Sequence, residues 1–263
     1  MTRLVERLVT SLIVTVLPFS NLMRASSDRA HSRIVLALDL QNDDRQTLLK
    51  QCNAILEGVA KYICAVKINR QLVLALGLPT VSQIVTNVHE LSLPAIMDAK
   101  LNDVGHTNSF MMESYVHAGF DAVIASPITG WEGGMDSVFE IARKEDKGVI
   151  LLTYMSNPGA EQFYSMMTGV EDGQRPIFET FAQMAVEWRA DGLVVGATRP
   201  DIIRRVRSLV GPSMEIYSPG VGTQGGDGRT ALETGANYLI VGRTIYGSES
   251  PRDAARGLHE SLK

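Results

Sequence analysis

The sequence predicts an α/β fold: a single (β/α)₈ TIM barrel behind a short N-terminal extension. Three observations carry this expectation. After Arg33, eight short apolar runs alternate with longer amphipathic stretches. The runs are nearly all apolar rather than alternating, the pattern of parallel strands buried on both faces. Polar residues recur just where the runs end, and a barrel gathers its active site at the C-terminal ends of its strands. The chain has 263 residues, within the usual size range of one such barrel.

In chain order, the runs are Ile34–Leu38, Ile63–Ile68, Ala95–Met97, Ala122–Ala125, Val149–Thr153, Gly192–Val195, Glu215–Tyr217 and Tyr238–Val241. Helix candidates between them include Arg45–Val59, Thr107–Ala118, Ile177–Ala190, Arg199–Val210 and Gly228–Thr234. Strands alternating with helices imply right-handed βαβ units. A doubly wound open sheet is the rival architecture, but no Gly-x-Gly-x-x-Gly follows the first run.

The expected division is an N-terminal extension over 1–32 and a catalytic barrel over 33–263. Leu4 to Phe19 is rich in apolar residues behind Arg3 and Arg7, which superficially resembles a signal peptide. Glu6 and the lack of a small-x-small cleavage site count against that reading, and the segment is short and interrupted for a membrane span. The expectation is an extension that is disordered or follows from a start assigned too early, with Met23 as the alternative first residue. The polar stretch from Ala25 to Arg33 reads as a linker.

Composition narrows the function classes. A net charge of −4 offers no general attraction to nucleic acid or to an anionic membrane. Cys52 and Cys64 are the only two cysteines, with no Cys-x-x-Cys pair and no His cluster at metal-ligand spacing. Cys64 lies in an apolar run and reads as a buried small hydrophobe. The thiols fit a reducing, cytoplasmic setting.

Asp39, Lys67, Asp98 and Lys100 close the first three runs. Strand alternation puts Asp98 and Lys100 on one side and Ala99 on the other. Asp103 falls in the turn that follows, so two carboxylates flank Lys100 in sequence. Opposite charges nearby would keep that ammonium protonated and suited to donating a proton. Ser126 and Ser156 come just after the fourth and fifth runs. On the other half of the barrel, Ser218 to Asp227 is glycine-rich and Gly242-Arg243 follows the eighth run. Loops after strands seven and eight recurrently bind phosphate in such barrels, and arginine adds a charge-assisted contact. His106 reads as a turn or interface residue.

With those residues in place, the chain resembles the orotidine 5′-monophosphate decarboxylase family, in its compact archaeal-type branch. The likeness runs from Arg33 to near the C-terminus. It rests on Leu36-Ala37-Leu38-Asp39, Val66-Lys67-Ile68, the Asp98–Asp103 motif, Leu152 to Ala160, Ser218 to Asp227, and Val241 to Tyr246. The resemblance implies that Lys100 delivers a proton to C6 of the pyrimidine and that Asp98 sits against the substrate carboxylate. It implies that Lys67 and Asp39 complete the charged network and contact the ribose. Ser156 would bond the pyrimidine edge, Pro219 would lie beside the base, and Gln224, Gly242 and Arg243 would hold the 5′-phosphate. Asp103 and Thr107 would reach the neighbouring subunit's site, which implies a homodimer. No metal and no organic cofactor is implied. The nearest rival, the 3-keto-gulonate-phosphate decarboxylase and hexulose-phosphate synthase group, uses Mg²⁺ and carries an acidic residue where this chain has Lys67. A catalytically silent nucleotide-binding barrel is the alternative outside enzymology. The sequence departs from relatives at Ala99, at Gly105-His106 and at Asn69-Arg70.

Overall fold

The computed structural model describes residues 19–170 and 173–263. Eight parallel strands close a barrel in the order β1 (Ile34–Leu38), β2 (Ala65–Asn69), β3 (Ala95–Leu101), β4 (Ala122–Ala125), β5 (Gly148–Tyr154), β8 (Gly192–Val195), β9 (Glu215–Pro219) and β10 (Tyr238–Val241). β10 then pairs with β1. The remaining two strands, β6 (Met167–Val170) and β7 (Gly173–Pro176), form an antiparallel hairpin between β5 and the helix Ile177–Glu187.

Burial on both faces explains why the runs carry so few polar residues. Val35, Ala37, Ile96, Ile124, Leu152 and Ile240 fill the barrel interior. Their sequence neighbours Ile34, Leu36, Leu38, Met97, Val123 and Leu239 pack outward against the helices. Alternation thus divides each strand between two apolar environments instead of between core and water. The strands outrun four of the expected apolar segments: β2 continues to Asn69, β3 to Leu101, β5 to Tyr154 and β9 to Pro219. In each case the added residues lie near the open end of the barrel.

The lower end is closed by the chain's own N-terminal side. Residues Phe19–Ala30 form a helix whose Phe19 and Met23 are buried in the interior cluster. The expected linker from Ala25 to Arg33 is therefore largely helical, and its polar residues have specific partners. Ser26 Oγ donates to the Cys64 carbonyl at 2.7 Å, and Arg24 Nε meets Glu215 Oε1 at 2.6 Å. Ser32 Oγ donates to the Tyr62 carbonyl at 2.7 Å. Polar atoms at a barrel floor must be paired once solvent is excluded, which is why serines suit this helix. The signal-like segment before Phe19 lies outside the described residues. Among the described residues no single helix is long and apolar enough to cross a membrane.

Gly148 opens β5 directly under Phe19. A Cβ there would lie 2.5 Å from the Phe19 ring. Gly148→Ala is therefore expected to cost about 1–3 kcal/mol through overpacking. In thermal melts the cost should largely vanish when Phe19→Gly is already present, since the Phe19 Cβ would itself lie 2.7 Å away; an equal loss in both backgrounds would place the strain elsewhere.

Candidate active site

β3 leaves regular geometry where its chemistry begins. Its pairing with β4 shifts register between Met97 and Leu101, and Lys100 adopts a left-handed φ of +47°. Such a backbone is unfavourable for a side chain with a Cβ by roughly 1–3 kcal/mol and persists only where surrounding contacts hold it. Asp98 and Lys100 both face the barrel mouth while Ala99 packs outward. The Lys100 Nζ comes back to Asp98 Oδ1 at 2.5 Å.

The second oxygen of Asp98 serves a different lysine. Lys67 Nζ lies 2.9 Å from Asp98 Oδ2 and 3.2 Å from Asp39 Oδ1, with the Lys67 side chain only 4% exposed. The result is an alternating row, Asp39–Lys67–Asp98–Lys100, contributed by three adjacent strands. Burial is the largest single influence on the Lys67 and Asp98 pKa values, and it opposes both charges. The neighbouring charges together outweigh it, so Lys67 lies above its ordinary value and Asp98 below.

Within one chain, among the described residues, the lysine held between two carboxylates is Lys67, and Lys100 pairs with Asp98. Asp103 is exposed, its Oδ1 accepting from the Val104 N–H at 2.7 Å. Thr107 Oγ1 lies 3.3 Å from His106 Nε2. Neither Asp103 nor Thr107 lines the cavity that holds the row in this chain. The turn after β3 carries them away, with Asn108 Nδ2 donating to the Asp103 carbonyl.

Across the cavity, the segment after β9 folds into a tight loop. Gly226 N–H donates to the Gly220 carbonyl at 3.0 Å and Gly222 N–H to the Gly226 carbonyl at 2.9 Å. Gly220 has a φ of +97°, and a Cβ there would meet Ser156 Cβ at 2.9 Å. Only glycine combines that backbone with so close an approach. Ser156, Pro219, Gln224, Gly242 and Arg243 line this side, while Ile124, Leu152, Val194 and Ile240 supply apolar surface between the halves. Lys67, Lys100 and Arg243 face Asp39 and Asp98 around one cavity, leaving one positive charge in surplus.

The cavity also contains residues that the sequence reading did not assign. Asn69 stands two residues past Lys67, on the same side of β2, and Tyr246 stands one turn beyond Arg243 on the short helix Arg243–Tyr246. Both spacings were open to reading once Lys67 and Arg243 had been singled out. Ser126, by contrast, is buried outside the lining. Arg199 is near the opening but is committed to Asp201 at 2.8 Å and to the Tyr154 hydroxyl at 2.9 Å.

A comparison with known families matches residues 32–258 to the orotidine 5′-phosphate decarboxylase / HUMPS family. The chain belongs to this family. Curated relatives include the orotidine 5′-phosphate decarboxylases of Methanosarcina acetivorans, 38% identical over 88% of this chain and 94% of that protein, and of Thermococcus kodakarensis, 34% identical over 88% and 97%. Among solved structures, the orotidine 5′-monophosphate decarboxylase of Methanocaldococcus jannaschii, complexed with the inhibitor BMP, superposes with a TM-score of 0.74 at 30% identity over 88% of this chain and 99% of that one. The Leishmania donovani UMP synthase superposes at 0.83 with 26% identity over 94% of this chain, which spans 56% of that longer protein. These solved structures share the barrel fold of this chain.

The pKa directions fix how stability depends on pH. Asp98 is depressed below 3.8, so its contribution is present above pH 3.8 and is lost as pH falls through the folded value. Lys67 is raised above 10.5, so its contribution is full below pH 10.5 and is lost as pH rises through the folded value. Asp98→Asn should cost roughly 3–5 kcal/mol by breaking a buried pair. Urea unfolding should show that cost constant between about pH 5 and 9 and shrinking only below the ordinary carboxylate range. A cost that already shrinks between neutrality and about pH 5 would mean Asp98 titrates far higher than this network allows.

Proposed function

We propose that this protein decarboxylates orotidine 5′-monophosphate to uridine 5′-monophosphate without a metal or an organic cofactor. The observation that carries the reading is the row Asp39–Lys67–Asp98–Lys100 facing Gln224, Gly242 and Arg243 across one cavity. That arrangement suits a substrate with a phosphate at one end and a carboxylate at the other. Gln224, Gly242 and Arg243 take the phosphate, Ser156 the pyrimidine edge, and Pro219 lies beside the base. Asp39 and Lys67 contact the ribose.

The carboxylate then faces Asp98, and C6 lies beside Lys100. As the bond from C6 to the carboxylate breaks, CO₂ departs and the electron pair remains on C6. The Lys100 ammonium stabilises that developing charge and gives C6 a proton. A fixed cation in a water-poor site is worth far more to such a transition state than one in bulk solvent. Phosphate contacts far from the reacting carbon supply binding energy for holding the carboxylate close to Asp98. Lys67 bears on the metal question through its position. Its ammonium bridges Asp39 and Asp98, the two carboxylates that a divalent ion would otherwise share.

Asp103 and Thr107 complete the site of a second copy in this reading, so the working unit is a homodimer. Val104 and Phe110, beside these two residues in sequence, are 53% and 72% exposed, and Leu74 and Ile128 on the flanking segments are similarly open. Exposed apolar residues beside Asp103 and Thr107 support an association surface there. The free, buried thiols of Cys52 and Cys64 fit a cytoplasmic enzyme.

Loss of orotidine 5′-monophosphate, followed spectrophotometrically, should proceed undiminished in EDTA; a strict need for Mg²⁺ would favour the enediolate chemistry of the rival group. Sharing of the site has its own test. Lys100→Ala and Asp103→Asn homodimers should each be nearly inactive. Random reassortment should restore about a quarter of wild-type activity, because half of the dimers then hold one intact site. No recovery would mean that Asp103 does not act in its partner's site.

A further inference from the structure

The closed end of the barrel, opposite the charged row, carries a second cavity of about 250 Å³. It lies between the turn that follows the helix Phe19–Ala30, the start of β1 and the end of the C-terminal helix Pro251–Ser261. His31, Arg33, His259 and Lys263 line it, with Asp28 as the one carboxylate. Four basic side chains against a single acid stand out on a chain whose net charge is −4.

Basic residues near helix C-termini commonly serve to balance the helix dipole. Here the end carbonyls already have donors. The Ser27 and Asp28 carbonyls accept from the Ser32 and His31 N–H groups at 3.1 and 3.3 Å, and Arg229 Nη2 donates to the Ser261 carbonyl at 2.7 Å. Arg24, close by, is held by Glu215 at 2.6 Å. Among the described residues no carboxylate pairs with His31, Arg33 or Lys263. His259 is the decisive member. It is 9% exposed and packs beside the Tyr62 ring, and its imidazole has no hydrogen-bond partner among the described residues. Buried polar side chains are normally partnered, so this ring on a basic cavity wall lacks its counterpart. Burial, the largest influence, lowers its pKa below 6.5; Lys263 and His31 lower it further, and Glu260 opposes them. A bound anion would reverse that balance.

We propose that this floor cavity is a binding site for a small phosphate monoester, separate from the active site at the mouth. The phosphate sits among Arg33, Lys263 and His259. The Arg33 guanidinium offers a planar fork of donors that matches phosphate oxygens, and Lys263 adds a compact charge. With both histidines neutral, Arg33 and Lys263 exceed Asp28 by one positive charge. A phosphate near neutrality carries close to two negative charges, enough to use that surplus and draw a proton onto His259. A monoanionic carboxylate would not. Leu232 and Leu262 form an apolar wall of the same cavity, which suits an organic group beyond the phosphate. The site does not depend on the chemistry at the other end of the barrel.

The test reads the imidazoles directly, by NMR of the full chain with labelled histidine, the His259 signal being assigned from His259→Gln. Inorganic phosphate is titrated at neutral pH against sodium chloride of equal ionic strength. Phosphate should move the His259 signal with half-saturation below about 10 mM and make the ring about tenfold less acidic. His89, which is paired with Asp121 at 2.9 Å, should stay still. Phenyl phosphate, which sets a ring against Leu232 and Leu262, should bind at least about threefold more tightly than inorganic phosphate. Arg33→Ala and Lys263→Ala, both at exposed positions, should each weaken the response about tenfold while leaving the thermal midpoint unchanged. A His259 signal that phosphate does not move beyond the chloride control, or a response that survives both substitutions, overturns the site. Phenyl phosphate that binds no better than inorganic phosphate overturns its assignment to an organic monoester.

Discussion

The site depends on one buried cation. Lys67 lies between Asp39 and Asp98 with almost no exposure. Without it, two carboxylates would face each other at the end of a barrel with little solvent to separate them. Buried charges of one sign drive each other to neutrality. With it, Asp98 is held below the ordinary carboxylate range and keeps its other oxygen for Lys100. The row is thus built outward from a residue that need not itself transfer a proton. Its worth lies in holding Asp98 charged and fixed, and fixed charges are what an electrostatic mechanism requires.

The barrel supplies that row with a dry floor and two opposed walls. Phe19 and Met23 seal the lower end from beneath, and aliphatic side chains from successive strands fill the middle. The charged row itself stands at the upper rim. There the strands leave regular pairing, most visibly at Lys100 with its left-handed backbone. Strain of this kind is tolerated where the ion pair to Asp98 and the packing of Ala99 and Leu101 hold the chain on either side. The glycine loop opposite works by absence of side chains, since Gly220 lets backbone approach Ser156 more closely than any Cβ allows.

Much of this was legible in the sequence, for identifiable reasons. Unbroken apolar runs followed by charged residues announced the barrel and its mouth, because period-two alternation put Asp98 and Lys100 on one face. The relative roles of the lysines were not legible. Adjacency in sequence put Lys100 beside Asp98, while the second contact of Asp98 comes from Lys67, 31 residues away. Only strand order and register bring those two together. The bulge at Lys100 had no local signature, since lysine has no preference for a left-handed backbone. The helix Phe19–Ala30 was missed because its buried stripe is narrow: Phe19, Met23 and Ser26, at helical spacing, with one polar member. Asn69 was passed over for the opposite reason, as a neutral residue among charges that drew attention first.

The central claim is that the row exists to present the Lys100 ammonium to C6. Its most direct test is Lys100→Ala, measured for both nucleotide binding and single-turnover decarboxylation. Uridine 5′-monophosphate should still bind through the Gln224–Arg243 side while the chemical step falls by several orders of magnitude. A chemical step left unchanged by the substitution would contradict it.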